Sequence, residues 1–277
     1  MRCVFLLFLV FFLASPPVFA NSLTGTTSYE YTKQAGQSKQ LTQDITASMT
    51  INATPSLWLG TTVESNHTNG QNPVNTVNDF YLRFHPADNE YTIGKQSCIL
   101  GNGLIASISG ATGIQTYIKT ADHQTISLFY GKKSRPFTAI EISPDIAQSL
   151  TVELSYFREQ NSYVGLTAQQ QLSPRLSLTV DVATNLTQGS KGYLITLAQG
   201  DLQVPGSTLL SVEYHNIAAG AVSAYCTDST YDNSTGLHLE LNRKIGANSI
   251  LTIYRDFSRS FTATRNAKTY LALSNVF

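Results

Sequence analysis

Titratable residues are sparse in this chain, and none stands at a spacing that covalent or acid–base catalysis would use. His67-Thr68-Asn69-Gly70 comes nearest to a hydrolytic motif. A serine–histidine site needs the nucleophile beside its base and a third group to orient it. Here the serine and its spacing are both missing, and a histidine beside Asn-Gly reads as a turn. No histidine or cysteine cluster has metal-ligand spacing, so neither a metal nor a cofactor is expected. Lys132-Lys133-Ser134-Arg135 could attract anionic head groups or solutes, or be a solvated loop. The chemistry that remains is electrostatic. Arg83, His85, Lys95 and Lys119, with Glu64, Glu153, Asp181, Glu213 and Glu240, are scattered among apolar residues. What such charges do depends on the elements that hold them.

Those elements read as strands. Asp79-Phe80-Tyr81-Leu82-Arg83-Phe84-His85 alternates, with Phe80, Leu82 and Phe84 on one face and Tyr81, Arg83 and His85 on the other. Pro86-Ala87-Asp88-Asn89 turns it into a second strand from Glu90 to Gln96. Period-two runs recur along the chain. Asp44–Asn52, Leu150–Phe157, Leu176–Thr184 and Leu237–Asn242 are the clearest, and Phe137–Ile142 is the weakest. Ser143-Pro144-Asp145 reads as a turn, and Ala218 to Ser234 as a long polar loop. The expected count is sixteen strands, with fourteen as the rival. Short turns are expected after the even strands, and most of the longer loops after the odd ones.

A soluble sandwich also alternates, so the faces must decide. In the clear strands one face carries no charge, while the other holds Thr, Ser, Asn, Gln and scattered charge. An Arg or Lys on a lipid face costs about 2–4 kcal/mol at mid-membrane, and charge-free faces over many strands fit that penalty. Closure into a barrel also removes edge strands. The fold expected is therefore an all-β transmembrane antiparallel up-and-down barrel over residues 21–277, its polar face lining a lumen too wide for side chains to fill. Charged residues are only 13% and the formal net charge is zero, so no basic stripe supports nucleic-acid binding. No later segment is apolar enough for a membrane helix. Residues 1–20 read as a cleaved export signal: Arg2, an apolar core from Val4 to Ala14, and Val18-Phe19-Ala20 at the cleavage point. Export makes a Cys98–Cys226 disulfide a candidate, with two unbridged thiols as the alternative.

The run Ile93-Gly94-Lys95-Gln96, then Leu100-Gly101-Asn102-Gly103-Leu104-Ile105-Ala106, then Thr112-Gly113-Ile114 resembles bacterial outer-membrane porins. It is most similar to the barrel portion of porins that elsewhere carry an S-layer-homology domain, without that domain here. Lys95 stands where those porins usually have Arg, Cys98 where an aromatic is common, and Ser107 where an Asp is common. The resemblance implies a water-filled channel for passive diffusion of small hydrophilic solutes, embedded in outer-membrane lipid and assembled as a homotrimer. It implies that Gly101, Asn102, Gly103, Leu104 and Ser107 belong to an inward-folded constriction loop. It implies too that Phe277 is a terminal signal read by the barrel-assembly machinery. The rival is a non-conducting barrel with an adhesive or envelope-structural role.

Overall fold

The computed structural model describes residues 21–276 apart from 35–38, 55–56, 69–70, 87, 121–123, 227–230 and 262–264. The expected export signal and Phe277 lie outside the described residues. The strands are β1 (Asn21–Gln34), β2 (Gln40–Thr54), β3 (Leu57–Thr68), β4 (Val74–Phe84), β5 (Glu90–Leu100) and β6 (Ala106–Lys119). Then come β7 (Thr125–Lys132), β8 (Pro136–Ser143), β9 (Asp145–Ala147), β10 (Leu150–Arg158), β11 (Ser162–Ser173) and β12 (Leu176–Asn185). The last are β13 (Lys191–Gly200), β14 (Thr208–Ile217), β15 (Ser234–Lys244), β16 (Ser249–Ser260) and β17 (Arg265–Val276).

Each strand pairs antiparallel with its neighbours, and β1 pairs with both β2 and β17, so the sheet closes. β8 and β9 are one strand of the wall interrupted at Pro144, and both pair with β10. Proline has no N–H for the ladder and breaks it locally. The reversal expected at Ser143-Pro144-Asp145 falls instead at residues 148–149. The wall is therefore a closed antiparallel barrel of sixteen strands, as the alternation requires.

Register sorts the side chains. Directly paired residues share a face, and neighbours along a strand alternate. Leu59, Leu82, Ile93, Ile114 and Tyr130 form one continuous row from β3 to β7 on the outer surface. Ile195, Tyr214 and Leu237 form another. These outer side chains are well exposed, with Tyr130 at 66%. That is the arrangement of a wall whose solvent on the outside is hydrocarbon.

The connections differ from expectation in one respect. At the far end from the termini, residues 133–135 and 159–161 are nearly as brief as the turns at 148–149 and 174–175, whereas 186–190 and 218–233 are longer. At the near end 201–207 is longer than all of these but 218–233, so the expected contrast between the ends is uneven. Strands run further than their apolar alternation, because polar Thr, Ser and Asn continue the ladder beyond it. β4 begins at Val74, and β6 at Ala106.

Candidate functional site

The β5–β6 hairpin leaves the wall. β4 and β5 pair only over Phe80–Phe84 and Tyr91–Lys95, and β6 meets β7 only over Thr112–Lys119. Beyond those points Gln96 to Ala111 keeps its own hairpin pairing and turns into the barrel. At the tip Gly101, Asn102 and Gly103 take φ of 56°, 49° and 86°. Three successive left-handed residues are affordable only where glycine and asparagine supply them. One face of the hairpin, Cys98, Leu100, Ala106 and Ile108, is buried in a single cluster with Phe129, Phe137, Phe157 and Tyr163 of the inner wall. Phe129 and Phe137 stack with centroids 5.0 Å apart. Burial of each large apolar side chain contributes about 1.5–3 kcal/mol, enough to hold the hairpin inside.

Polar contacts fix the tip. Gly101 N donates to Glu141 Oε2 at 3.2 Å, and Asn102 Nδ2 donates to Asp181 Oδ1 at 3.4 Å. Asp181 also accepts from Thr167 Oγ1 at 2.6 Å. Of the residues expected in the constriction, Gly103 and Leu104 are buried, Asn102 is exposed, and Ser107 lies on β6.

A second segment enters the lumen. Residues 218–226 and 231–233 carry Ala221, Val222 and Tyr231 into the same cluster, with Tyr225 and Cys226 packed against it. The alanine, serine and asparagine around those apolar residues made this segment look like an ordinary polar loop. It joins β6 along the edge that β7 has released: Ser107 N donates to the Tyr225 carbonyl, and Ser223 Oγ donates to the Ile105 carbonyl. Tyr225 Oη donates to Glu159 Oε1 at 3.0 Å, tying the segment to the far rim. The lumen is thus not wholly left to water. One side is filled by these two inserts, and the polar wall of β14 to β17 and β1 to β4 faces them. Cys98 and Cys226 are in this packing and are not joined by a disulfide.

Of the charges expected on the inner wall, Lys95 lies elsewhere. It pairs with Phe80 and Thr112 on the outer row, and its Nζ donates to the Val77 carbonyl. Beyond this point β4 has no β5 partner, so its carbonyls need another donor. Lys133 Nζ does the same for the Ser109 carbonyl. The parity of Lys95 with Ile93 was the sequence signal for this placement.

Arg83, His85 and Lys119 do come together, with Asp88, Glu90, Tyr117 and Thr125, around a cavity of about 430 Å³ at the turn end of the barrel. Glu90 unites them: its Oε1 is 3.1 Å from Arg83 Nε, and its Oε2 is 2.6 Å from His85 Nε2. Glu64 accepts from Asn78 on the inner wall. Glu153 is paired with Thr167, and Glu213 with Thr196 and His238. Glu240 accepts from Asn242 Nδ2 at 2.6 Å. Asp181 and Glu213 line a second cavity, of about 390 Å³, beneath Asn102, Gly103 and Leu104. Its other side is apolar: Leu194, Ile217 and Val222. Sequence reading passed over Glu30, Asp44, Glu90, Glu141, Asp256 and Lys268. Register places them on the same inner face. Their strand alternation was the available signal. Among the described residues, no group of three His, Cys, Asp or Glu is placed to hold a metal ion.

No family model matches the sequence, and no curated protein matches it. Solved structures do match in shape. A triple mutant of the Rhodopseudomonas blastica porin superposes with a TM-score of 0.66 at 8% identity, over 93% of this chain and 100% of that one. Another variant of that porin gives 0.66 at 9% identity with the same coverage. Pseudomonas aeruginosa OccD3 gives 0.60 at 10% identity, over 93% of this chain and 91% of that one. At such identity the likeness is one of fold, and the chain is a sixteen-stranded barrel of porin-like architecture.

Proposed function

We propose that the chain is an outer-membrane channel through which small hydrophilic solutes pass by diffusion. The observation that carries this reading is the division of the wall. Its outer rows are Leu, Ile, Val and aromatic residues, while its inner rows are Thr, Ser, Asn, Glu and Asp. A closed wall with a lipid-compatible outside and a water-compatible inside is suited to conduct. The β5–β6 hairpin tip is the constriction, with Asn102 exposed at its edge and bonded to Asp181 of the wall behind it. Residues 1–20 serve export, the termini lie on the periplasmic side with the turn at residues 85–89, and Phe277 serves recognition by the assembly machinery. A trimer is the oligomer in keeping with this architecture.

A non-conducting barrel with an adhesive or envelope-structural role is the second reading. Its support is the apolar packing of the two inserts, which closes part of the lumen. Planar-bilayer recording of refolded protein separates the two. Stepwise insertions of steady conductance support the channel. A barrel that inserts, shows heat-modifiable gel migration and carries no current overturns it.

A further inference from the structure

The chain is formally neutral, but its charges are separated radially. On the strands the carboxylates turn inward. Glu30 pairs with Thr42 and Asp44 with Ser28. Glu141 pairs with Ser155, Asp181 with Thr167, and Asp256 with His238. The strand cations mostly turn outward. Lys33 and Arg255 flank Thr269 on the row that continues to Leu271 and Leu273. Lys95 and Arg243 pair with Phe80 and Leu251 on outer rows. Among the described residues, Arg83, Lys119, Lys244 and Lys268 are the strand cations on the inner rows, and Lys244, at the rim, donates to the Gln203 carbonyl.

The other three inward cations lie beside acids. Arg83 is held by Glu90. Lys119 shares the cavity of Glu90 and Asp88. Lys268 is the register partner of Asp256, with Nζ over the Tyr254 ring. Glu141, Glu153, Asp181 and Glu213 stand around the inserted hairpin on strands β8 to β14. Among the described residues, Glu141, Glu153 and Asp181 form no ion pair, while Glu213 is the register partner of His238. Their hydrogen-bond partners are neutral: Gly101 N and Ser155 for Glu141, Asn102 and Thr167 for Asp181, Thr196 and Tyr231 for Glu213. The inserted hairpin tip, Gly101 to Ile105, brings no charge of its own. On the inner rows of the strands, carboxylates therefore outnumber cations.

We infer that the channel selects small cations, with Glu153 and Glu213 among the inward carboxylates that set the preference. This rests on the channel reading above and names its solute class. A low-dielectric wall carrying one sign concentrates the opposite ion and repels the like one, as carboxylate rings do in cation channels. Inner-wall hydroxyls and amides provide hydration at the same level.

The experiment is the reversal potential of single channels under a potassium chloride gradient, repeated with tetramethylammonium chloride. The expected cation-to-anion permeability ratio is about ten or more, the lower end of what focusing by one-signed walls gives. It should fall several-fold in a Glu153→Gln, Glu213→Gln variant. Glu153→Gln alone should lower it less while leaving assembly intact, which covers the case in which the double variant fails to fold. Raising the salt concentration should weaken the preference, since exposed charge is screened over about 8–10 Å at physiological salt. A channel that conducts with no preference, or prefers chloride, overturns this inference and leaves the channel reading standing. An inserted barrel that carries no current overturns both.

Discussion

Ile105 occupies the space in front of Gly165: a methyl built on Gly165 would stand 2.0 Å from Ile105 Cδ1 and 2.8 Å from its Cγ1. The inserted hairpin and the wall strand β11 are thus matched in shape at one residue pair. A glycine in a strand interior weakens the strand, and here it makes room for a close approach.

Gly165→Ala should therefore displace the hairpin tip rather than the wall, because Ile105 lies in the hairpin turn while β11 is paired on both sides. Single-channel recording should show altered conductance and more frequent current fluctuation. The double variant Gly165→Ala, Ile105→Ala removes the clash and should restore steady current. An unchanged single variant would show that Ile105 does not set the tip's position.

The second insert is tied to the first by the Ser223 hydroxyl and the Tyr225 carbonyl. Ser223→Ala removes two hydrogen bonds, one to the Ile105 carbonyl and one from Tyr225 N, and an unsatisfied buried carbonyl alone costs about 1–3 kcal/mol. Shortening residues 219–232 to a tight turn should open the lumen further and raise unit conductance. Conductance equal to that of the intact chain would mean that this segment does not obstruct the passage.

Ile195 and Thr196 are neighbours on opposite faces of β13, the first 39% exposed on the outer row. Ile195→Lys should destabilise the barrel in lipid vesicles by about 2–4 kcal/mol if it lies near mid-membrane. Thr196→Lys should change stability little and shift the reversal potential toward anions. Denaturant titration of both variants in vesicles checks the pair. Equal costs would contradict the assignment of faces.

Glu90 joins Arg83 and His85 near the mouth, half in solvent. An ion pair this exposed is worth about 0–1 kcal/mol, so Glu90→Gln should leave the melting temperature nearly unchanged. It should release Arg83 electrostatically, and current carried by cations at that end should fall. A large loss of stability would mean that Glu90 is structural.

The wall was legible in the sequence because lipid on one side and water on the other impose a strict two-residue period. Phe80, Leu82 and Phe84 read correctly against Tyr81 and Arg83 for that reason. The inside was less legible. A segment that packs within the lumen has no period to display, so Val222, Tyr225 and Tyr231 were hidden among polar neighbours in residues 218–233. Lys95 was misjudged because a lysine in a strand suggests water, whereas here it serves carbonyls exposed by the departing hairpin. Pro144 resembled a turn because proline usually marks one, yet the strand resumes after it.

Ring closure through β1 and β17 has a consequence for biogenesis. Thr26 is paired with Val276, so the first strand meets one of its two neighbours only after nearly the whole chain is present. Contacts at such sequence separation are slow to form and come late. Until then both strands are open edges prone to wrong pairing. The unclosed chain therefore passes through a stage in which its two terminal strands can pair with another copy as readily as with each other.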